Sequence, residues 1–266
     1  MKAFIRACSV AFGLGLASIA SAWAQADPHH AWDALLRTYL VESADGINRF
    51  DYDGLRRHDV DRASLSDYIE TLEAMPVSVM EPQDQFAYWA NLYNAVTVRL
   101  IVDEAPANSI RQIRPRPWSI GPWGVDRVEV EGRELSLDDI EHGIMREQFA
   151  APLVHYAVNC ASIGCPNLKP HAWRGETLET DLEAAARVYI NHPRGVRVTE
   201  DGLEVSRIYA WFQEDFGGDE AGVLAHLLTY AEPELAMELQ GRTRIGAYAY
   251  DWSLNDLDTD TARQPH

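Results

Sequence analysis

The residues with the clearest capacity for chemistry lie together in one short stretch, His155 to Cys165, which reads HYAVNCASIGC. A cysteine thiolate is a strong nucleophile, and an imidazole close by can take its proton. The apolar run before Cys160 is typical of a strand, and Pro166 forbids regular sheet pairing soon after it. A thiol that enters a turn from a strand has backbone N–H groups for a thiolate and later for an oxyanion. We therefore predict a catalytic site with Cys160 as nucleophile and His155 as base.

The strand predicted over residues 153–158 limits how well these two groups can meet. Successive side chains of a strand point to opposite faces, so His155 and Asn159 share one face while Cys160 takes the other. Only the turn can redirect the thiol towards the imidazole. The spacing keeps Cys160 and His155 within reach without proving that they pair.

Two upstream residues are candidates for supporting roles. Glu141 shares one face of a predicted helix with apolar residues, so it points inward and is a candidate to orient His155. The alternative is an ordinary structural hydrogen bond or salt bridge. Asn91 and Asn94 lie three apart on another helix. One of these amides either reaches the cysteine turn, or both hold loops by bonding backbone groups.

The cysteine pair allows three interpretations. Of the three cysteines in the chain, Cys8 lies in an N-terminal leader, which leaves Cys160 and Cys165. The first interpretation is a catalytic thiol, which requires no cofactor. The second is a structural disulfide, since a C-x4-C spacing closes a small loop and an oxidising compartment favours the bond. The third is metal ligation with His155 or His171, although no second Cys/His pair has zinc-ribbon spacing, and we expect no metal site.

The first 26 residues have the pattern of a secretory signal peptide. Lys2 and Arg6 precede a short apolar core, and Ala24-Gln25-Ala26 is an A-x-A cleavage site. The apolar core is shorter than the roughly 20 residues that a bilayer crossing needs. We expect cleavage near Ala26, a periplasmic or secreted protein, and no membrane span.

Composition excludes one class of partner and bounds the size of the fold. The 266 residues carry a formal net charge of −18, whereas a nucleic-acid-binding protein needs a basic stripe to neutralise phosphates. With 47% hydrophobic residues the chain can bury one core without disulfide support. We predict a single domain over residues 27–255, followed by a disordered tail over residues 256–266.

Helices and hairpins in mixed order must position the site. The clearest element is a helix from Gln83 to Asp103, where large apolar residues recur at spacings of three and four. Two hairpins are predicted over residues 125–135 and 196–205. Further helices and strands are predicted at residues 31–39, 52–75, 137–149, 153–158, 177–189 and 245–250. The mixture predicts an α+β fold in one domain, with the central helix packed on a mixed or antiparallel sheet that includes the hairpins.

Tryptophans are unusually frequent near the predicted loops. Five of them could line a sugar or peptide groove, or could instead be core and loop-anchoring residues: Trp118, Trp123, Trp173, Trp211 and Trp252. The ligand classes this leaves open are a peptide, another amide or a saccharide.

Several segments taken together resemble the family called domain of unknown function 547, DUF547. They are FAYWANLYNA (86–95), ELSLDDIEHGIMR (134–146), HYAVNCASIGCPNL (155–168), SRIYAWFQEDFGG (206–218) and YDWSLN (250–255). The likeness spans about Tyr52 to Asn255, in the order typical of the family.

The resemblance implies a domain identity and a relation to papain-like or transglutaminase-like thiol enzymes. The order of histidine before cysteine is reversed from papain and is compatible with a permuted arrangement. By this analogy Cys160 and His155 are the catalytic pair, with Glu141 and Asn91 as companions. We expect a thiol-dependent hydrolase or acyl-transferase acting on amide or peptide bonds. The alternative is a non-catalytic binding or scaffold domain braced by a Cys160–Cys165 disulfide.

Overall fold

The structure is a computed structural model that describes residues 27–149 and 152–257. The predicted signal peptide lies outside the described residues, as does most of the predicted tail. The first two tail residues are described and pair with the body of the protein. Asp256 bridges Phe50, and the Leu257 N–H donates to the Phe50 carbonyl over 3.1 Å.

Helices and strands alternate without a repeated order, which confirms the α+β class. In chain order the α-helices are α1 (His30–Tyr39), α2 (Tyr52–Arg57), α3 (Asp59–Glu73), α4 (Pro82–Glu104), α5 (Arg146–Phe149), α6 (Val154–Ala157), α7 (Leu178–Ile190), α8 (Ile208–Trp211), α9 (Glu220–Tyr230) and α10 (Pro233–Leu239). A π-helix, Asp139–Met145, runs directly into α5. The strands are β1 (Leu40–Glu42), β2 (Asn48–Phe50), β3 (Asp126–Val130), β4 (Arg133–Ser136), β5 (Val196–Thr199), β6 (Gly202–Ser206) and β7 (Ala247–Ala249).

The strands form three small sheets. Strands β1 and β2 pair antiparallel, as do β3 and β4, and β7 adds in parallel to the β5–β6 hairpin. Both predicted hairpins are confirmed. The β3–β4 turn places Glu131 and Gly132 at φ 50° and 77°, and positive φ at both central residues is the two-residue turn that follows the twist of a hairpin.

The long helix α4 is the centre of the core, and its predicted bounds are confirmed to within one residue at each end. Pro82 stands in its first turn, and Ala105 ends it in the left-handed conformation. Buried residues surround it on nearly all sides, and its main neighbours are α3, the 3-10 helix Gly175–Thr177, α2 and the π-helix. Helices therefore pack around it, while each sheet has only two or three strands. None of the helices in the described part of the chain combines the length and apolar character that a bilayer crossing requires.

The strand predicted over residues 153–158 is wrong, because Val154–Ala157 forms the short helix α6. All four of its residues are buried, so the run is apolar throughout and has no period that separates a strand from a buried helix. The chain becomes extended only at Val158. The argument that alternation sends His155 and Cys160 to opposite faces therefore does not apply.

The helix predicted over residues 137–149 exists, but most of it is π-helical. Ser136 and Asp139 cap its start reciprocally: the Ser136 N–H donates to Asp139 Oδ2 over 2.9 Å, and the Asp139 N–H donates to Ser136 Oγ over 3.1 Å. At its end the Arg146 N–H donates to the carbonyl of Glu141, five residues back. Such wide turns occur frequently at functional sites.

Candidate active site

One cavity of about 190 Å³ gathers most of the predicted site residues. Cys160, Cys165, His155 and Glu141 all line it. The residues come from the turn after α6, from α6 itself and from the π-helix. Three of the four predicted catalytic residues, Cys160, His155 and Glu141, therefore line the same cavity, although they are separated along the chain.

Two buried amides hold the cysteine turn in place. Asn94 of α4 accepts the Asn159 N–H over 2.8 Å and donates to the Ala157 carbonyl over 2.9 Å. Asn159 in turn accepts the Ala161 N–H over 2.8 Å and donates to the Pro166 carbonyl over 2.7 Å. Thus the central helix positions the turn through Asn94.

Asn91, the other predicted amide, does not line the cavity. Its side chain accepts the Trp173 N–H over 2.8 Å and donates to the Trp173 carbonyl over 2.9 Å. It is fully buried, and both ends of its amide are used. The structure therefore gives Asn91 the loop-holding role, and the reach to the cysteine turn belongs to Asn94.

The two sulfurs lie side by side as free thiols, 2.7 Å apart. The Cys160 N–H donates to Cys165 Sγ over 3.0 Å, and the Tyr250 hydroxyl lies 3.2 Å from each sulfur. Ser162 Oγ lies 3.1 Å from Cys160 Sγ. Cys165 is buried and Cys160 is partly exposed to the cavity. No group of three or more His, Cys, Asp or Glu side chains suited to a metal ion occurs within the described ranges.

Hydrogen bonding shifts the pKa values of the two thiols in opposite directions. Burial alone would raise the pKa of Cys165, but hydrogen bonds from Cys160 and Tyr250 outweigh it and lower that pKa to about 7. The hydrogen bond to Cys165 and then burial raise the pKa of Cys160 well above its usual range. The pair therefore loses its first proton more readily than an isolated buried cysteine would and shares the other, with the negative charge better stabilised on Cys165.

His155 is fixed by a carboxylate, an arginine and an aromatic ring. Its Nε2 lies 2.7 Å from Asp215 Oδ2, and its ring stacks on Phe212 at 4.2 Å between centroids. Arg146 donates to both Asp215 oxygens, over 2.6 and 2.9 Å. The hydrogen bond from His155, opposed by partial burial and reinforced by Arg146, holds the pKa of Asp215 well below its usual range. Because Asp215 is ionised and only accepts, Nε2 carries the proton and Nδ1 is the basic nitrogen.

The orienting carboxylate is therefore Asp215, whereas the sequence predicted Glu141. Glu141 Oε1 lies 3.9 Å from His155 Nδ1, beyond hydrogen-bond distance. Sequence reasoning missed Asp215, which lies 60 residues after His155. The available signal was its place in the segment SRIYAWFQEDFGG, one of the family-like motifs.

Cys160 and His155 both line the cavity. Among the described residues, no hydrogen bond joins the Cys160 sulfur to the His155 ring. The polar partners of Cys160 Sγ there are Cys165, Ser162 and Tyr250. A substrate that enters the cavity therefore meets the thiol and the imidazole as separate groups. Hydrogen bonds that matter in catalysis commonly form only in the complex with substrate.

The turn amides are engaged, which corrects the expectation that they form an oxyanion site. The N–H groups of Cys160 and Ala161 go to Cys165 Sγ and to Asn159. Those of Ile163 and Gly164 donate to the carbonyls of Ser253 and Asp251, each over 2.8 Å. A Cβ added to Gly164 would lie 2.8 Å from the Asp251 carbonyl oxygen, so only glycine allows this approach. Two side-chain hydroxyls, those of Ser162 and Tyr250, also lie beside the sulfur pair. Burial raises the pKa of Tyr250 and keeps it protonated, so it can donate there.

Three of the five tryptophans noted in the sequence form one wall of the cavity. Trp123, Trp211 and Trp252 line it, and the ring of Trp252 lies 5.5 Å from that of Trp211 and 5.8 Å from that of Trp123. Trp173 is buried in the core, and Trp118 is 77% exposed. The predicted aromatic groove therefore exists, but it involves only part of the expected set.

Comparison with known proteins agrees with the sequence. The model of a family described as protein of unknown function, DUF547, matches residues 77–190, which supports the family resemblance recognised from the motifs. The matched segment contains Glu141, His155 and both cysteines of the cavity, while Asp215 and Tyr250 lie beyond it. No curated protein and no solved structure matches the chain.

Proposed function

We propose that this DUF547-type chain is an exported thiol-dependent hydrolase or acyl-transferase that acts on amide or peptide bonds. One observation supports this most: a single cavity holds an ionisable cysteine pair and His155, whose imidazole is fixed by Asp215 at 2.7 Å. A nucleophile, a base and a group that orients the base are the parts that such chemistry requires. The permuted papain-like relation remains a hypothesis within this proposal.

The proposed reaction begins from the ionised pair. His155 Nδ1 takes the first proton of the pair, and Cys160 and Cys165 share the second. Cys160 Sγ then attacks the carbonyl carbon, forming a C–S bond, while the shared proton passes from Cys160 to Cys165. The imidazolium gives its proton to the leaving nitrogen, the C–N bond breaks, and a thioester remains on Cys160.

Water completes the hydrolysis. His155 takes a proton from the water as its oxygen attacks the thioester, and the C–S bond breaks to release a carboxylic acid. The Cys160 thiolate returns to share the proton of Cys165, so the pair is restored. An acyl-transferase would use an amine or alcohol in place of water. Throughout, Asp215 holds the Nε2–H and so keeps Nδ1 as the nitrogen that accepts and returns the proton.

A second candidate is favoured by one observation, the 2.7 Å between the two sulfurs. It is the non-catalytic binding or scaffold domain in which a Cys160–Cys165 disulfide braces the cavity loop. Such a bond in an exported protein needs only oxidation of two thiols that are already adjacent.

Mass spectrometry of the non-reduced mature protein, with and without an alkylating reagent, separates the two candidates. We expect a protein whose Cys160 is free, or is freed by mild reduction, and alkylates much faster at pH 7 than a model thiol. A fully formed 160–165 bridge that persists under mild reduction would support the scaffold and rule out the enzyme.

Export gives a separate prediction. The leader pattern over residues 1–26 predicts a mature chain that begins at Asp27 when the full sequence is expressed in a Gram-negative host. N-terminal sequencing of the periplasmic or secreted protein tests this. Replacing Ala24 and Ala26 with bulky residues is the matched control, since cleavage should then slow or move. A protein that retains Met1 in the cytosolic fraction would contradict export.

A further inference from the structure

Two carboxylates of the cavity take no part in the proposed reaction. The Glu141 side chain is 13% exposed, and its nearest ion-pair contact is the 3.9 Å approach to His155 Nδ1. Asp138 Oδ1 lies 3.7 Å from His142 Nε2. Neither carboxylate has a lysine or arginine partner among the residues that the structure describes. Arg146, the nearest arginine in sequence, is bound at both oxygens of Asp215.

The negative charge of these groups is compensated only in part, by the charge of His142 near Asp138 and by that of Arg146 near Glu141. Burial raises the pKa of Asp138. The charge of His142 lowers this pKa in part, and the charge of Glu141 raises it further. Burial and then the charge of Glu141 raise the pKa of Tyr93, another residue of the lining. The Asp138 side chain is 52% exposed, whereas that of Glu141 is enclosed. An enclosed carboxylate with a second one beside it gains stability when a cation enters.

The facing wall also suits a cation. The cavity is lined by the indoles of Trp123, Trp211 and Trp252, and no lysine or arginine is among its lining residues. The wall is tied to the acidic side, since the Asp138 N–H donates to the Trp123 carbonyl over 3.1 Å. An aromatic face attracts an ammonium group, and carboxylate oxygens beside it complete the recognition. One cation already lies over an indole of this wall: Arg111 Cζ is 5.1 Å from the centroid of the Trp252 ring.

We propose that Glu141, Asp138 and the indole wall form a subsite for the ammonium group of an amine-bearing peptide. The inference deepens the proposed function and rests on it, because the ammonium would bind in the same cavity as the amide bond that Cys160 attacks. The ammonium has two sources in a peptide, a lysine side chain or a free α-amine. Both present a primary amine that carries a positive charge at neutral pH.

Binding without turnover tests the subsite. The probes are N-acetyl-lysine methylamide, norleucine methylamide with its free α-amine, and the neutral N-acetyl-norleucine methylamide, each titrated into the Cys160→Ala protein. Tryptophan fluorescence and calorimetry report the affinity. We expect one cationic probe to bind about tenfold or more tightly than the neutral one, and its identity distinguishes the side-chain amine from the α-amine. Equal binding of all three, or no saturable binding of either cationic probe, would overturn the proposal.

A charge-matched control separates the subsite from the general acidity of the protein. Glu141→Gln should remove most of the preference for the cationic probe, whereas Glu134→Gln, at an exposed position of β4 outside the cavity, should leave it intact. Asp138→Asn should act in the same direction as Glu141→Gln. Equal losses in Glu141→Gln and Glu134→Gln would show long-range attraction only and would contradict a local site. Because these titrations need no chemistry, they can fail while thiol reactivity survives, and the reverse also holds.

Discussion

Replacing Cys160 with alanine is expected to abolish covalent labelling by a thiol-directed activity probe and to reduce turnover of any amide substrate by about 10³-fold or more. The physical reason is that Cys160 is the partly exposed residue of the pair, while Cys165 is buried. The measurement compares the labelled fraction of purified wild type and Cys160→Ala, with site assignment by mass spectrometry.

The Cys165→Ala variant is the matched control for this experiment. It also removes one thiol from the pair, but it leaves the exposed sulfur in place, so labelling should persist at Cys160 and become slower at neutral pH. Equal melting temperatures of the two variants would show that both are folded. Labelling that survives in Cys160→Ala and disappears in Cys165→Ala would assign the nucleophile to Cys165 and contradict the proposed roles.

Replacing Asp215 with asparagine is expected to reduce turnover by roughly 10²- to 10⁴-fold, the range seen where a histidine base loses its orienting carboxylate. The amide can donate to Nε2, which would place the proton on Nδ1 and remove the basic nitrogen from the cavity. Arg146 would also lose its ionised partner, so the protein should become less stable. Turnover, the pH profile of Cys160 labelling and the melting temperature are the three measurements.

Glu214→Gln is the control for Asp215→Asn. It removes the same charge one residue away, at an exposed position, and should change neither turnover nor the pH profile. Asp215→Glu keeps the charge and should recover part of the activity. If Asp215→Asn lowers stability but leaves turnover and the pH profile unchanged in the folded fraction, Asp215 is structural only.

The elements set by local pattern were predictable from the sequence. The helix α4 follows from apolar residues at helical spacing between two prolines, and the β3–β4 turn follows from Glu131-Gly132 between alternating strands. In both cases the deciding interactions lie within a few residues of one another.

The details that failed depend on contacts between distant segments. Val154–Ala157 folds as the helix α6 with all four residues buried, so its sequence has no period that distinguishes a helix from a strand. Asn91 and Asn94 look equivalent in sequence, and only the packing of α4 decides that Asn94 meets the cysteine turn. Likewise Asp215 reaches His155 through tertiary structure, so the nearer acid Glu141 was the natural but less suitable choice.

The most direct test of the proposed thiol chemistry is the pH dependence of Cys160 alkylation, measured by mass spectrometry with iodoacetamide in wild type and Cys165→Ala. Only the thiolate reacts, so the rate rises with pH through the pKa of the pair. In wild type we expect the midpoint near the pKa of about 7 that hydrogen bonds from Cys160 and Tyr250 give Cys165. In Cys165→Ala the midpoint should move to about 8.5, the ordinary value for a cysteine, or above it. The same midpoint of about 8.5 in both proteins would contradict the shared proton and with it the proposed nucleophile.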